Sequence, residues 1–223
     1  MTASLIVAVD ESGSPSRTVD EPFCLGISVI LDVDRFRDSY REVSERVFGR
    51  EAVFKYSHDR PKPGKAGRVK DEFISLLSRH ILALGIVIYK EEDIGNLVLE
   101  VYGKLVALHL ERILGKRKAS HVGLIYDRNP LFREDQKTLL ANSFHKWVRL
   151  GSHSFTVKFG GKDKDIWVSS ADYVAGLTRE MTLCQGRKIS DMEYCERVGL
   201  WFKGLNVSRS VYRTSDIRRM FLR

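Results

Sequence analysis

Residues 5–14 read Leu-Ile-Val-Ala-Val-Asp-Glu-Ser-Gly-Ser and are the most informative part of the chain for its fold. Its five consecutive apolar residues predict a strand that is covered on both faces, as in the centre of a sheet. The strand stops at Asp10, at the kind of strand end where the ligands of such sheets gather. A carboxylate at the edge of the core needs a metal ion, a cationic side chain or several N–H donors to offset its lost hydration.

Two further aspartates stand in similar settings. A second short apolar run, residues 121–126, ends at Asp127, and Asp172 lies in a stretch of helical spacing. On that helix Ala175 and Gly176 share the face of Asp172, so this face is expected to pack closely on the sheet. Three acids far apart in the sequence are therefore expected to meet at one edge of one sheet.

This arrangement of acids suggests a metal centre. Carboxylates brought together raise each other's pKa unless a cation neutralises them, and oxygen ligands without cysteine or histidine favour Mg²⁺ or Mn²⁺. Aspartates that hold such ions polarise a phosphodiester and activate a water molecule. The sequence thus favours a metal-dependent nuclease with Asp10, Asp127 and Asp172 as metal ligands and catalytic residues. The alternative, in which each aspartate caps a turn or forms an ordinary salt bridge, stays open.

The composition predicts one domain over residues 1–223. Of these residues 43% are hydrophobic and 30% charged, enough for one core that buries roughly 70% of the unfolded surface. No apolar run approaches the roughly 18 residues of a membrane helix, and no signal segment is evident, so we expect a cytoplasmic protein without a membrane partner. Cys24, Cys184 and Cys195 lack the spacing of a zinc site or a disulfide framework, which predicts three reduced thiols.

The charge of the chain points to a polyanionic partner. The formal net charge is +8 and the isoelectric point is near 9.4, which favours binding to phosphate backbones, of DNA or of RNA. Residues 55–70 combine basic side chains with proline and glycine and are predicted to form a mobile basic loop. Lys62, Lys65 and Arg68 of this loop are the predicted nucleic-acid contacts, although a solvated basic face is an equally good interpretation of such a run.

The order of apolar patterns and turn signals predicts an α/β fold with the order β-β-α-(β)-α-β-α-β-α-β-α-α. A strand over residues 22–31 is expected to pair antiparallel with the first, and a helix capped by Asp32 or Asp34 to end at Gly49. Helical spacing extends over residues 69–84, with Gly85 as its end. Residues from about 186 to 223 form a C-terminal extension.

Four motifs resemble a known family. They are Asp-Glu-Ser-Gly at residues 10–13 after the first strand, a lysine-containing motif at 54–58, the strand ending in aspartate at 125–127, and Ala-Asp-Tyr-Val-Ala-Gly at 171–176. In these the chain resembles the prokaryotic proteins grouped as domain of unknown function 3800, in the ribonuclease-H-like superfamily. The resemblance implies a mixed five-stranded sheet flanked by helices, extra C-terminal helices and a nuclease activity. One departure is Ser169, where that family often has glutamine.

Further residues are candidates for the site. Lys55 and His58 are candidates to contact the scissile phosphate or to protonate the leaving group, with an ordinary place on a basic loop as the alternative. In an ideal strand Glu11 points away from Asp10, so it reaches a metal only if the strand has already turned. Glu100 is the positional candidate for a fourth acid, with a solvent-facing or core-edge role as the alternative.

Two other functions stay open. A first-strand aspartate followed by a tight turn also resembles the haloacid-dehalogenase-like phosphohydrolases, in which that aspartate is the nucleophile. This class usually has a second aspartate where the chain has Ser12. The other alternative is a nuclease fold that binds nucleic acid without cutting it. A homodimer is possible in each case.

Overall fold

The structure of the protein, a computed structural model, describes residues 3–15, 21–57, 66–91, 101–114, 119–127, 134–147, 154–160 and 166–221. These residues form strands and helices in alternation. In chain order the elements are β1 (Ala3–Ser12), β2 (Phe23–Ile30), α1 (Val33–Phe48), α2 (Ala66–His80), β3 (Ile81–Tyr89), a π-helical turn (Val101–Leu105) that leads into α3 (Val106–Leu114), β4 (Ala119–Asp127), α4 (Glu134–Trp147), β5 (Ser154–Gly160), α5 (Ile166–Gln185), α6 (Met192–Gly204), β6 (Ser208–Arg213) and α7 (Thr214–Phe221).

The strands form a single mixed sheet with the order β5-β4-β1-β2-β3-β6. β2 pairs antiparallel with both β1 and β3, whereas β1–β4, β4–β5 and β3–β6 are parallel pairs. The carboxyl ends of β1, β4 and β5 therefore lie at one edge of the sheet. The α/β class and the central place of β1 are as predicted.

The sheet has six strands where five were predicted. The sixth, β6, has the sequence Ser-Arg-Ser-Val-Tyr-Arg, which lacks the apolar run of a central strand. It lies at the edge of the sheet and pairs on one side with β3, so its polar side chains reach solvent. The C-terminal extension thus contributes a strand as well as helices.

Two apolar cores lie on opposite faces of the sheet. Odd-numbered residues of β1 pack with α3 and α4 in one core, to which Val7, Leu110 and Phe144 belong. The other core contains α1, α2, α5 and α6, which contribute Phe36, Phe73, Tyr173 and Trp201 among others. Since side chains alternate along a strand, Asp10 faces the second core, the side on which α5 lies.

The ends of two helices show where local signals decide and where pairing does. Asp32 accepts a hydrogen bond from the backbone N–H of Arg35, and Gly49 ends α1 with φ of 71°, both as the sequence predicts. The helix predicted over residues 69–84 instead ends at His80, and Gly85 lies inside β3. Residues 81–88 pair with β2 in unbroken register, so sheet hydrogen bonds outweigh a helical apolar pattern there.

The cysteines correct another prediction. Cys184 at the end of α5 and Cys195 in α6 form a disulfide, with their Cα atoms 5.5 Å apart, and Cys24 is a buried free thiol. The bond forms because the two helices pack side by side, a proximity that cysteine spacing does not reveal. Disulfides persist mainly in oxidising compartments, so this pair does not favour a cytoplasmic location. The location stays a prediction. No helix within the described residues is both long and apolar enough to cross a membrane.

This pairing makes a simple prediction. In denaturant without reductant, thiol titration should find one reactive cysteine per chain, Cys24, and three after reduction. The disulfide closes a short loop, and the entropy that it removes from the unfolded chain contributes at most about 3 kcal/mol to the free energy of unfolding. Cys195→Ser should therefore lower this free energy measurably. Three reactive thiols in the unreduced protein would contradict the bond.

Candidate active site

Asp10 and Asp127 are neighbours at the carboxyl ends of two adjacent strands. β1 and β4 are parallel with Val9 opposite Tyr126, so the next residue of each strand, Asp10 and Asp127, lies side by side on the same face. Asp10 is only 7% exposed. Asp127, the last residue of β4, is half-buried.

A glycine in the neighbouring strand lets α5 bring the third acid to the same place. Gly26 lies directly opposite Asp10, and a Cβ atom at Gly26 would approach the backbone oxygen of Ala171 and the nitrogen of Ala175 to 2.3 Å. Any larger residue would therefore push the helix off the sheet. Because α5 crosses β2 at this point, Asp172, which follows Ala171, reaches the end of β1.

The close contact differs in part from the sequence prediction. Ala175 packs on the sheet as expected, but Gly176 packs against the ring of Tyr56, whose nearest atom would be 2.2 Å from an added Cβ. The small residues of α5 thus allow this helix to pack closely against two surfaces. One is the sheet, and the other is the segment 51–57 that borders the site.

Burial and charge act together on Asp10. Its pKa is raised well above the usual range, first by burial and then by the charges of Asp172, Glu11 and Asp127. The backbone N–H of Glu11 donates to Asp10 Oδ1 at 2.8 Å and lowers the pKa, but this effect is smaller than the others. An acid in such surroundings is stabilised by any cation that enters the site.

The acids line a cleft of about 370 Å³. Its lining residues are Asp10, Glu11, Val53, Phe54, Lys55, Ser57, Asp127, Val168, Ser169 and Asp172. Three of the four carboxylates come from the strand ends and one from α5, with Lys55 as the basic side chain of the lining. Within the described part of the chain, no three histidine, cysteine or acidic side chains already form a metal-ligand cluster. The acids are thus close enough to shift the pKa of Asp10 without having converged on one point.

Asp172 is oriented from the segment that carries Lys55. The backbone N–H of Tyr56 donates to Asp172 Oδ2 at 2.7 Å. The Tyr56 hydroxyl in turn donates to Glu180, and burial together with that negative charge raises the pKa of Tyr56 well above its usual value. Tyr56 therefore stays a protonated donor and links the site to a charged group in the core.

That charged group is a buried ion pair. Glu180 and Lys70 have side chains 7% and 0% exposed, and Lys70 Nζ lies 3.9 Å from Glu180 Oε2. The Lys70 ammonium group also lies 3.5 Å from the centre of the Tyr56 ring. The Tyr194 hydroxyl donates a second hydrogen bond to Glu180. We call these four residues, Lys70, Glu180, Tyr56 and Tyr194, the buried charge cluster. The prediction that Lys70 lies in a mobile basic loop is wrong, because α2 begins at Ala66 and places Lys70 in the core.

The other predicted residues are placed as follows. Glu11 accepts a hydrogen bond from the hydroxyl of Tyr102, on the face opposite Asp10, as the alternation of an unturned strand requires. Lys55 is half-buried in the cleft lining, and Arg68 is an exposed residue in the first turn of α2 instead of a loop. The remaining candidates, His58, Lys62, Lys65 and Glu100, lie outside the described residues.

Several residues that shape the site were given no role by the sequence. Tyr56 and Gly26 act through backbone positions, and Ser57 and Ser169 contribute hydroxyl groups to the cleft. Ser169 also exchanges a hydrogen bond with the Tyr40 hydroxyl at 3.3 Å. Gly26 did carry a signal, because a glycine inside an apolar strand often marks the close approach of another backbone.

Comparison with known proteins supports the fold. No sequence family and no curated protein matches the chain. Among solved structures it is similar to a chain of the PCNA:RNase HII complex from Archaeoglobus fulgidus, with a TM-score of 0.51 and 15% identity over 82% of this chain and 77% of that chain. RNase HIII from "Bst", solved in complex with Mn²⁺, gives a TM-score of 0.43 and 12% identity over 83% and 56%, too weak a likeness to support an argument.

The likeness to the RNase HII chain defines a fold class and no more. The chain has a ribonuclease-H-like fold, with a mixed sheet flanked by helices. At such low identity the likeness extends to the fold alone. The resemblance to domain of unknown function 3800 therefore rests on the four motifs.

Proposed function

We propose that the protein is a divalent-metal-dependent nuclease whose Asp10, Asp127 and Asp172 hold Mg²⁺ or Mn²⁺. The observation that carries the proposal is the convergence of these acids from β1, β4 and α5 on one cleft, with a raised pKa at the buried Asp10. Structural roles do not account for this, since four neighbouring carboxylates repel one another. The positive net charge of the chain supports a nucleic-acid partner.

The donor set fits a hard cation. The acidic lining offers carboxylate oxygens, which suit Mg²⁺ and Mn²⁺ better than zinc. Chelation requires these side chains to move, because within the part of the chain that the structure describes they do not form a compact ligand cluster. When bound, such an ion polarises the phosphodiester and lowers the pKa of a water molecule.

The chain's own residues have separate tasks in this proposal. Asp10 and Asp127 present carboxylate oxygens from the ends of β1 and β4, and the Tyr56 N–H positions the Asp172 carboxylate through its Oδ2 atom. Lys55 borders the same cleft and contacts the phosphate of the substrate. His58 remains a candidate proton donor for the leaving group.

A haloacid-dehalogenase-like reaction fits the site less well. That class usually has a second aspartate two residues after the nucleophile, and the chain has Ser12 at this position. The cleft instead gathers carboxylates from β1, β4 and α5, which is the donor set of a cation site.

A cleavage screen tests the proposal. The wild-type protein should cut at least one of single-stranded DNA, duplex DNA, RNA or an RNA–DNA hybrid with Mg²⁺ or Mn²⁺, and none of them in excess chelator. Asp38→Asn, at an exposed aspartate of α1, is the matched control and should cut like wild type. Hydrolysis of a small phosphomonoester alone would favour the phosphohydrolase. A folded protein that cuts nothing with either ion would favour a module that only binds nucleic acid.

A further inference from the structure

A second cavity lies on the sheet face that carries Asp10 and Asp127. This cavity, the β4–β5 groove, has a volume of about 670 Å³, within the range of ligand sites. Its floor is formed by β1, β4 and β5, and its wall by the start of α1 and by Trp167 of α5. The lining of the groove includes His121, Gly123, Ile125, Thr156, Lys158 and Trp167.

The groove exists because α5 does not cover this half of the sheet. At Gly26 an added Cβ would clash with the helix backbone at 2.3 Å, whereas at Gly123 it would meet only sheet atoms, Thr156 Oγ1 at 3.8 Å and Leu5 O at 3.9 Å. Among the described residues, no helix therefore packs over Gly123. A parallel strand pair normally has both faces covered, so a face with polar side chains that no described helix covers is unusual.

The groove leads into the acid site. Lys158 pairs with Ile125, and Gly160, two residues further along β5, pairs with Asp127. At about 3.3 Å per residue, the row that contains Lys158 lies about 7 Å from the row that contains Asp127. On the helix side Trp167 lines the groove and the next two residues line the acid cleft, so the two cavities adjoin.

The lining combines a cationic side, hydroxyl groups and an aromatic wall. Lys158 and Thr156 are exposed on the floor, and both ring nitrogens of His121 bond to hydroxyls of β5. The acids at the rim, Asp32 and Asp34, are already paired with Arg35 and Arg37. The Arg37 guanidinium lies 5.7 Å from the centre of the Trp167 ring, which is half-buried. A ligand therefore meets a lysine and an indole instead of uncompensated acids.

We propose that the β4–β5 groove binds an unpaired stretch of the nucleic-acid strand whose phosphodiester lies at the acids. Lys158 contacts a backbone phosphate and Trp167 provides a surface for a base. The inference rests on the proposed function and extends it, because it assigns a single-stranded substrate segment and a direction along which it runs. A base reaches a tryptophan wall only when it is unstacked from a duplex, and aromatic walls next to cations are typical of single-strand grooves.

Binding measurements on the full-length Asp10→Asn protein without metal test this inference, because that variant is expected to bind without cutting. The probe is a fluorescent single-stranded 12-mer, as DNA and as RNA, and its blunt duplex is the comparison. In this background Lys158→Ala and Trp167→Ala should each weaken single-strand binding by about fivefold or more. Lys203→Ala is the matched control, at an exposed lysine of α6 that leads into the opposite sheet edge, and should stay within about twofold of the parent.

The two variants should fail in different ways. Lys158→Ala should lower the slope of log affinity against log salt by about 0.7, as expected for one lost phosphate contact on a single strand, whereas Trp167→Ala should leave that slope unchanged. Trp167→Phe keeps an aromatic ring and should retain most of the affinity. If Trp167→Ala weakens the fold through lost contact with Phe36, Lys158→Ala and Trp167→Phe still decide the matter.

The result that would overturn the proposed single-strand site differs from the result that would overturn the nuclease proposal. If the Asp10→Asn parent binds and both groove variants bind like Lys203→Ala, the groove is not the strand site, whatever wild type cuts. A parent that binds no single strand, or binds the duplex more tightly, also overturns it. Failure of the nuclease proposal is instead seen in the wild-type cleavage screen.

Discussion

Asp10→Asn should reduce metal-dependent cleavage by at least about 10²-fold, the loss that follows removal of one group that stabilises the transition state. The substitution keeps the shape of the side chain but removes one ligand charge from the acid cluster. Nucleic-acid binding should persist or tighten, because one source of repulsion for phosphate is gone. Initial rates of cleavage with Mn²⁺ and binding by anisotropy check the two halves, with Asp38→Asn as the control.

The same substitution should affect stability in the opposite direction. A folded-state pKa above the unfolded value means that Asp10 contributes stability at low pH that is lost as the pH rises through that raised pKa. At neutral pH in chelator, Asp10→Asn should therefore melt at a higher temperature than wild type, and the difference should shrink as the pH falls. Added Mn²⁺ should raise the melting temperature of wild type more than that of the variant.

Cleavage that survives both Asp10→Asn and Asp172→Asn would place the chemistry at other residues.

Breaking the buried charge cluster should cost more stability than changing an ordinary surface ion pair. Glu180→Gln leaves Lys70 as an uncompensated charge in the core, and Lys70→Met leaves Glu180 with its two tyrosine donors but without its cation. Removal of one partner of a buried pair costs about 3–5 kcal/mol. Asp34→Asn, which breaks an exposed pair with Arg37, should cost at most about 1 kcal/mol.

The double variant separates pairing from packing. Lys70→Met with Glu180→Gln should cost clearly less than the sum of the two single changes, because no unpaired charge remains. Urea denaturation gives the free energy of unfolding for wild type, the two single variants, the double variant and the Asp34→Asn control. Single variants within about 1 kcal/mol of wild type would show that the pair is not a buried, coupled unit in solution. Since Tyr56 connects the cluster to Asp172, the single variants should also cut more slowly.

The central strand and the ends of α1 were predicted correctly because the sequence signals for them are local and unambiguous. The run that ends at Asp10 is apolar on both faces, and this pattern has few interpretations besides a central strand. The ends of α1 follow from capping at Asp32 and a left-handed glycine at Gly49. Where a short-range rule decides the conformation, the prediction was confirmed.

Long-range contacts account for the differences. Lys70 sits three residues before Phe73 and seven before Leu77, which is the spacing of a buried helix face, but its charge and the nearby glycines pointed to a loop. Its burial depends on Glu180, which lies far away in the sequence. The disulfide between Cys184 and Cys195 likewise depends on how two helices pack. β6 has a polar sequence and owes its conformation to pairing with β3.

The sequence predicted that the three aspartates meet at one edge of the sheet, but not the contacts that bring them there. The sequence named three aspartates, and the structure places them on one cleft through the β1–β4 register and through Gly26. What the sequence could not supply is the support behind them. The Tyr56 N–H that holds Asp172 lies in the motif at 54–58, which assigned no role to this residue, and the hydroxyl of Tyr102 on Glu11 comes from a segment with no motif of its own.

Anomalous diffraction from crystals of the protein soaked in Mn²⁺ would show whether the three aspartates share an ion. We expect an anomalous peak in the acid cleft, about 2.0–2.2 Å from oxygens of Asp10 and of Asp127 or Asp172, and its loss in Asp10→Asn crystals. Ordered carboxylates with no peak between them, at a Mn²⁺ concentration that supports cleavage, would contradict the claim that these three aspartates form the metal centre.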